Sequence, residues 1–311
     1  FGIPRSNGLT LMYGNILNSN NTIIDFSDNN LSQFGGFLQT NLTGDIDNVV
    51  YSYKYNVIAT LSQSSTTIEF INNTYDSSNS LYNQYVALSV NLSQYLDKLY
   101  NILAIDNRDI FLVIGKYNVS YRLLILEYSL DNSANVTQIG FFKSRDIYTS
   151  LNSNGIPVDS DLIKILYISE RDTVIIYKEN TNEIYYNNID NIISIIDTGS
   201  NSTFLDFSQV DTSILDGSIN HIYSFLELDI LIIDKINGIS HVYDIARIQN
   251  QEINIISSDN NWGYNTSDGI TNVSRKTNNI IYSPNTGKLF RVDVSGEIIQ
   301  TSDLREFAVK T

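Results

Sequence analysis

The stretch 163–200, IKILYISERDTVIIYKENTNEIYYNNIDNIISIIDTGS, constrains the fold of this 311-residue chain more than any other. Its short runs of Ile, Val and Tyr are separated by polar turns, which is the pattern of strands joined by tight connections. It predicts four strands, at Ile163–Ser169, Thr173–Lys178, Glu183–Asn187 and Ile192–Asp197. A four-stranded meander cannot bury both of its faces alone, so it needs neighbours of the same kind.

The rest of the chain repeats this unit about every 50–60 residues. Opening strands are centred on Tyr51, Ala104, Tyr167, Tyr223 and Tyr282, and second strands on Ile58, Val113, Ile175, Ile232 and Phe290. A third strand follows after a hairpin turn, and Asn237-Gly238 and Ser295-Gly296 have the chemistry of such turns. A fourth, more variable strand closes most units. We call these two series of residues the sequence columns. Their spacings vary together over five units, which indicates a true structural repeat.

Four antiparallel strands in each repeat, with nearly continuous apolar runs in the first two, resemble the blades of β-propellers. No Trp-Asp repeat, kelch Gly-Gly doublet or Asp-box loop assigns the chain to a particular propeller family. The alternative fold is a pair of β-sandwiches, in which nothing requires the spacings of the two columns to vary together.

The resemblance implies an all-β, single-domain propeller with six four-stranded blades. Residues 1–48 offer only three strands, at 9–14, 22–27 and 35–40. Because the run 307–309 supplies a fourth, one blade is expected to be closed by both chain termini. The expected blades are 1–48 plus 305–311, 49–100, 101–162, 163–219, 220–276 and 277–304.

Composition excludes several classes of function. The net charge is −15 without a Lys/Arg cluster, which argues against binding nucleic acid or an anionic membrane through a basic face. The absence of Cys excludes disulfides, thiolate metal sites and a cysteine nucleophile. No apolar run approaches the ~18–20 residues that a membrane span requires.

We expect an extracellular, cell-surface or virion-surface protein. The chain begins with Phe1, charged residues are only 17%, and Asn, Ser and Thr are abundant. In such a composition roughly seven N-glycosylation sequons arise by chance, so the ten present are a mild excess. The composition resembles that of exported surface proteins of thermophilic archaea and their viruses. The candidate glycosylation sites are Asn20, Asn30, Asn41, Asn72, Asn91, Asn118, Asn135, Asn201, Asn265 and Asn272.

Few residues point to a specific site. His221 and His241 lie one strand apart, without the partners of a catalytic triad or a zinc motif. Arg108 and Arg171 occupy equivalent turns, where salt bridges to flanking acids are expected. The best candidate for a contact patch is Trp262 with Tyr264.

No cofactor is predicted. Acidic loops are compatible with a bound Ca²⁺, although none has a calcium-loop spacing. They contain Asp45, Asp47, Asp159, Asp161, Asp206, Asp211 and Asp216.

The sequence favours a binding protein over an enzyme. The expected partner is a protein or a glycan that contacts loops on one face, and assembly into a homo-oligomer, coat or filament fits a polar, weakly charged surface. The alternative is a polysaccharide-acting hydrolase or lyase, which needs two carboxyl groups roughly 5–10 Å apart in the channel. The inner strands offer only Asp109, Asp229 and Asp234, all expected at strand ends.

Overall fold

The computed structural model describes eighteen stretches of backbone, which are 2–5, 8–12, 37–39, 48–52, 54, 57–62, 65–76, 81–118, 120–130, 136–148, 163–198, 205–225, 228–237, 240–249, 252–259, 277–283, 288–293 and 298–303. Side chains are described within 48–70, 88–127, 163–196, 205–224, 230–236, 244–248 and 252–256, apart from 53, 55–56, 63–64 and 119–120. Everything below refers to these residues.

The described strands form six sheets. Sheet 1 contains β1 (Gly2–Arg5), β2 (Gly8–Met12) and β3 (Phe37–Gln39), and β1 is a strand that the sequence did not predict. The predicted strand at residues 22–27 lies outside the described residues. Sheet 2 contains β4 (Asn48–Ser52), β5 (Val57–Leu61), β6 (Thr67–Asp76) and β7 (Leu81–Asn91).

Sheet 3 is an antiparallel meander with one added edge strand. It contains β8 (Lys98–Ile105), β9 (Ile110–Tyr117), β10 (Ser120–Leu130) and β11 (Val136–Tyr148). The short strand β15 (Leu205–Asp206) pairs in parallel with the end of β11. A 3-10 turn, Asp106–Arg108, joins β8 to β9 and ends at Asp109, whose φ of 58° is left-handed.

In sheet 4 one of the four predicted strands is not formed. Its strands are β12 (Ile163–Ile168), β13 (Thr173–Lys178), β14 (Ile184–Asn188) and β16 (Ser208–Gln209). The predicted fourth strand, Ile192–Asp197, is wrong, because this segment belongs to helix α1 (Ile189–Thr198). Ile189, Ile192 and Ile196 recur at helical spacing and are fully buried. The Asn188 side chain accepts the Asp190 N–H at 2.8 Å, as a cap at the start of the helix.

Sheets 5 and 6 complete the described structure. Sheet 5 contains β17 (Ser218–Phe225), β18 (Leu228–Asn237), β19 (Ser240–Gln249) and β20 (Glu252–Asp259). Sheet 6 contains β21 (Thr277–Ser283), β22 (Lys288–Asp293) and β23 (Ile298–Asp303).

Consecutive sheets pack face to face around their first strands. The first strands of neighbouring sheets lie against one another, as in the pairs β1 and β4, β4 and β8, β8 and β12, and β12 and β17. In β9, Phe111 and Val113 pack toward sheet 2, whereas Leu112 and Ile114 pack toward sheet 4. A strand buried on both faces has no polar alternation, which explains the continuous apolar runs of the sequence.

This radial stacking of antiparallel sheets is a β-propeller. The number of blades and the closure of the ring by the C-terminal run 307–309 stay predictions, because that run lies outside the described residues.

The two sequence columns coincide only in part with the register of the first two strands. Tyr51 pairs with Ile58 and Tyr223 with Ile232. In sheet 4, however, Tyr167 pairs with Val174, one residue from the predicted column. In sheet 3, Ala104 pairs with Phe111. The repeat is therefore real at the level of whole strands, while single residues shift with the length of each turn.

Candidate functional site

The connections between strands fall into two sets, one at each end of the sheets. We name the strands of each sheet A to D, in chain order. The A–B end carries the turns from strand A to strand B, at residues 106–109 in sheet 3 and 169–172 in sheet 4. The B–C end carries the turns from strand B to strand C, including residues 179–183, and the connectors that lead into the next strand A. Antiparallel pairing places these two sets of connections at opposite ends.

At the A–B end, sheet 2 is linked to sheet 3 by polar contacts. Ser52 Oγ donates a hydrogen bond to Asp106 at 2.5 Å, and the Lys54 backbone N–H donates to the same carboxylate at 3.2 Å. The Lys54 ammonium forms an ion pair with Asp109. The first 3-10 turn is thereby attached to the preceding sheet.

Sheet 3 is linked to sheet 4 in the same way. Arg108 forms ion pairs with Asp172 at 3.3 Å and with Asp190 at 2.9 Å. The Tyr167 hydroxyl donates to Asp172 at 2.6 Å and accepts a hydrogen bond from the Asn107 amide at 2.9 Å. Burial and this bond to a carboxylate raise the pKa of Tyr167 to about 12.

Sheet 4 is linked to sheet 5 through Arg171, which donates to the Ile248 carbonyl at 2.7 Å. The expectation that Arg108 pairs with the flanking acids of its own turn is therefore wrong, since its ion pairs reach the following sheet. Arg171 also reaches the following sheet, through its hydrogen bond to Ile248. The described A–B end is occupied by contacts between sheets.

The B–C end leaves more of its polar groups in solvent. The turn of sheet 4 carries exposed Asn180 and Asn182, and the connector 210–217 beside it carries exposed Ser213 and Ile214. Hydrogen bonds hold the turn against the connector and the strand that follows it. The Asn180 N–H donates to the carbonyl of Ile219 in β17 at 2.6 Å, and Thr212 Oγ of the connector donates to the Asn182 carbonyl at 2.8 Å. These bonds leave the Asn180 and Asn182 side chains pointing outward without a hydrogen bond among the described residues.

Beneath this surface, three side chains converge at the seam between sheets 4 and 5. His221 Nδ1 lies 2.8 Å from Glu179 Oε1 and 3.0 Å from the Tyr177 hydroxyl. Tyr177 is the penultimate residue of strand B of sheet 4, Glu179 begins the turn after that strand, and His221 lies near the start of strand A of sheet 5. The His221 ring also packs edge-on against Tyr223, with ring centroids 4.5 Å apart. We call Tyr177, Glu179 and His221 the seam cluster.

The Tyr177 hydroxyl also satisfies the backbone of the neighbouring edge strand. It accepts the Ile222 N–H at 3.1 Å and lies 3.4 Å from the Ile222 carbonyl. Tyr177 is fully buried, and this burial raises its pKa well above the usual value. A neutral hydroxyl thus replaces the missing strand at the inner edge of sheet 5.

Further charged groups lie on strands B and C of sheet 5. Asp234 is buried and accepts a hydrogen bond from the Asn220 amide at 2.6 Å. The prediction that Asp234 lies at a strand end is wrong, because β18 continues to Asn237. Lys235 and Asp244 form a buried ion pair with 2.7 Å between their charged atoms. Asp109 lies at the A–B end, so it does not converge with Asp234 as the hydrolase alternative requires.

Most of the other predicted sites lie outside the described side chains. These are Trp262, Tyr264, His241, Asp229 and the sequons Asn20, Asn30, Asn41, Asn72, Asn135, Asn201, Asn265 and Asn272. The two sequons that are described, Asn91 and Asn118, are exposed. Asn118 lies in the two-residue turn between β9 and β10, with a φ of 51°. Asn91 ends β7 and accepts the Ser93 N–H at 2.9 Å.

The expected calcium loops gain no support from the described residues. Within them, no group of three or more His, Asp or Glu side chains is placed to hold a metal ion. Asp211 is fully exposed and accepts the Ser213 N–H at 2.9 Å, and hydrogen bonds from Ser213 lower its pKa. Calcium binding stays a prediction for the loops that are not described.

Sequence reasoning found His221 but not its partner. It compared His221 with His241, whereas the contact is made by Glu179 from the preceding sheet. One signal was present: Tyr177 and Glu179 are two residues apart at the end of a strand, which places them on the same face. Which strand of another blade lies opposite that face cannot be read from the sequence.

Comparisons with known proteins identify the architecture alone. No protein-family model matches the chain. No curated protein matches it in sequence. A solved structure described as a putative 6-phosphogluconolactonase from Bacteroides uniformis is similar over 89% of this chain and 72% of its own, with 11% identity and a TM-score of 0.51. The β-propeller domain of Cps50 (Swd1) from Myceliophteria thermophila is similar over 97% of this chain and 82% of its own, with 9% identity and a TM-score of 0.49.

The chain is thus a β-propeller by the order and packing of its sheets. No helix among the described residues has the length and apolar character needed to cross a membrane.

Proposed function

We propose that this β-propeller is a non-enzymatic binding protein that contacts a protein or glycan partner through its B–C end. The observation that carries the proposal is the contrast between the two ends. At the A–B end the charged turn residues other than Glu170 are engaged in contacts between sheets. At the B–C end, the turn 179–183 and the connector 210–217 present amides, hydroxyls and the exposed Ile214 to solvent.

The chemistry of the B–C end suits recognition of a polar partner. Exposed Asn and Ser side chains donate and accept hydrogen bonds at low desolvation cost, and an exposed apolar residue among them supplies contact area. Ile214 is 54% exposed, in a connector whose neighbours Val210 and Leu215 are anchored in the core. A short exposed loop on a buried base is a pre-ordered surface, which reduces the entropy lost on binding.

We further propose an extracellular, cell-surface or virion-surface location, with a homo-oligomeric or coat assembly as one form of partner. Support comes from the low charge content and from the two exposed sequons, Asn91 and Asn118. Both asparagines lie beside the connector from β7 to β8, and Asp97 in that connector accepts the Asn118 N–H. A glycan at either site would extend from the surface without disturbing the core.

The test is binding of the fluorescently labelled protein to a cell-envelope or particle fraction from its native source. Asn182→Arg and Ser213→Arg change exposed positions of the B–C end, and Glu170→Arg is the matched control at an exposed position of the A–B end. We expect the first two to weaken binding by about tenfold or more, and the control by much less. Equal loss in all three variants, or loss in Glu170→Arg alone, would contradict the assignment of the face.

A further inference from the structure

The seam cluster has one nitrogen that the described residues do not use. The His221 side chain is 34% exposed and that of Glu179 is 15% exposed, so the pair is shielded but reachable from solvent. Both short contacts of the imidazole are made by Nδ1. Nε2 has no partner among the described residues.

The positions of the hydrogen atoms follow from the partners. An ionised carboxylate can only accept, so the short contact to Glu179 requires the proton on Nδ1. Nδ1 then cannot accept from Tyr177, and the hydroxyl proton turns to the Ile222 carbonyl, 3.4 Å away. With this assignment the Glu179 carboxylate, the His221 Nδ1–H and the Tyr177 hydroxyl all have hydrogen-bond partners. Neutral His221 is then the Nδ1–H tautomer, with a lone pair on Nε2.

The remaining surroundings of His221 favour a neutral ligand with hydroxyl groups. The titratable groups that face it are Glu179, Tyr177, Tyr223 and Asp234, which is the residue paired with His221 on β18. The acids disfavour an anionic ligand. Tyrosine rings provide apolar edges, and a lone pair on Nε2 accepts a proton or a hydrogen bond from an O–H group.

We infer that Glu179 is a positioning residue that holds His221 as the Nδ1–H tautomer, and that Nε2 is the proton-accepting atom of a site for a hydroxyl-bearing ligand such as a sugar. The tautomer assignment stands on the contacts alone. The ligand class rests on the proposed function, which assigns partner binding to the B–C end, where the seam cluster lies.

The tautomer is tested by ¹⁵N NMR of the histidine side chains. The chain has only two histidines, so His241→Gln assigns both signals and serves as the control. We expect a protonated Nδ1 and an unprotonated Nε2 for neutral His221. Since a charge-assisted hydrogen bond is replaced by a neutral one, Glu179→Gln should shift the tautomer ratio toward Nε2–H on the order of tenfold. A protonated Nε2 in the native protein, or an unchanged ratio in the variant, would overturn the assignment.

Access to Nε2 is tested by acylation with diethyl pyrocarbonate. A bond forms between Nε2 and a carbonyl carbon of the reagent as the bond from that carbon to the ethyl carbonate group breaks. The Nδ1 proton is released, and the ethyl carbonate takes up a proton and decomposes to carbon dioxide and ethanol. We expect His221 to react in the His241→Gln protein, several-fold faster than in the same protein with Glu179→Gln. No reaction at His221 would show that Nε2 is inaccessible to solvent and would refute the proposed ligand site.

The ligand class is tested by repeating the acylation in a digest of neutral polysaccharides. We expect the digest to slow the reaction at His221 by about threefold or more, whereas an equal concentration of sodium chloride leaves it unchanged. An unaltered rate would refute the hydroxyl ligand. The two failures are distinguishable: partner binding that survives Asn182→Arg contradicts the proposed function, whereas a reaction rate of His221 that the digest leaves unchanged contradicts this inference.

Discussion

Removing the Tyr177 hydroxyl should destabilise the seam between sheets 4 and 5 by about 2–3 kcal/mol. In Tyr177→Phe the ring stays, so no cavity larger than one oxygen is created. The Ile222 N–H loses its acceptor at 3.1 Å, and the Ile222 carbonyl loses a donor at 3.4 Å. Both groups are buried with Ile222, which is 0% exposed. An unpaired buried backbone group costs about 1–3 kcal/mol, and the longer bond to the carbonyl places the sum near the lower end.

The assay is urea unfolding at neutral pH, followed by tyrosine fluorescence and circular dichroism. Tyr186→Phe is the matched control, because Tyr186 is half-buried on the next strand and makes no side-chain hydrogen bond among the described residues. We expect the control to change the free energy of unfolding by less than about 0.5 kcal/mol. The reasoning is refuted if Tyr177→Phe is as stable as the control, since the hydroxyl would then not satisfy the edge of β17.

Three further changes follow from other contacts. Gly115→Ala should cost about 2 kcal/mol or more in thermal unfolding, because the added Cβ would lie 2.4 Å from the Lys98 carbonyl oxygen. Ile192→Ala should cost about 3 kcal/mol, since Ile192 is fully buried on helix α1. Tyr167 has a raised pKa, so the unfolded state loses its proton first, and stability should fall as pH rises from about 10 to 12. Tyr167→Phe should be less stable at pH 7 but should show a shallower alkaline decline.

Each of these three predictions has a result that contradicts it. A stable Gly115→Ala would mean that β9 does not approach the start of β8 closely. Ser194→Ala, at an exposed helix position, is the control for Ile192→Ala, and equal costs would argue against the helix. An alkaline decline of the same slope in Tyr167→Phe would assign the effect to other groups.

The strands that the sequence predicted well are those buried on both faces. Strand B of most repeats is a largely apolar run between turn residues, as in Thr173–Lys178, which the structure reproduces in full. Such runs carry their own signal, because burial on both faces leaves little place for polar residues without a buried partner. The general architecture followed from the repetition of these runs.

The fourth strand of sheet 4 was missed because it carries little sequence signal. Ser208–Gln209 is short and exposed, whereas the apolar segment before it satisfied the expectation of a strand. The spacing of Ile189, Ile192, Ile193 and Ile196 was the available indication of a helix. The four-strand pattern of the other repeats favoured a strand instead.

The contacts between sheets could not be predicted from one sequence. Ser52 and Asp106 are 54 residues apart, and Tyr177 and His221 are 44 apart. Turn residues with ordinary local roles acquire partners only when the twist and order of the sheets are known. The seam cluster belongs to the same class, since Glu179 by itself is an unremarkable turn acid.

The central claim is that the B–C end binds the partner, and photo-crosslinking tests it most directly. Because the chain has no Cys, a thiol-linked crosslinker can be placed singly at Asn182→Cys or Ser213→Cys, and at Glu170→Cys of the A–B end. Each labelled protein is illuminated on its native envelope or particle fraction, and the adducts are identified by mass spectrometry. Adducts to one protein or glycan from the two B–C positions, and none from Glu170→Cys, are the predicted result. Adducts from Glu170→Cys alone would place the binding face at the opposite end and contradict the account.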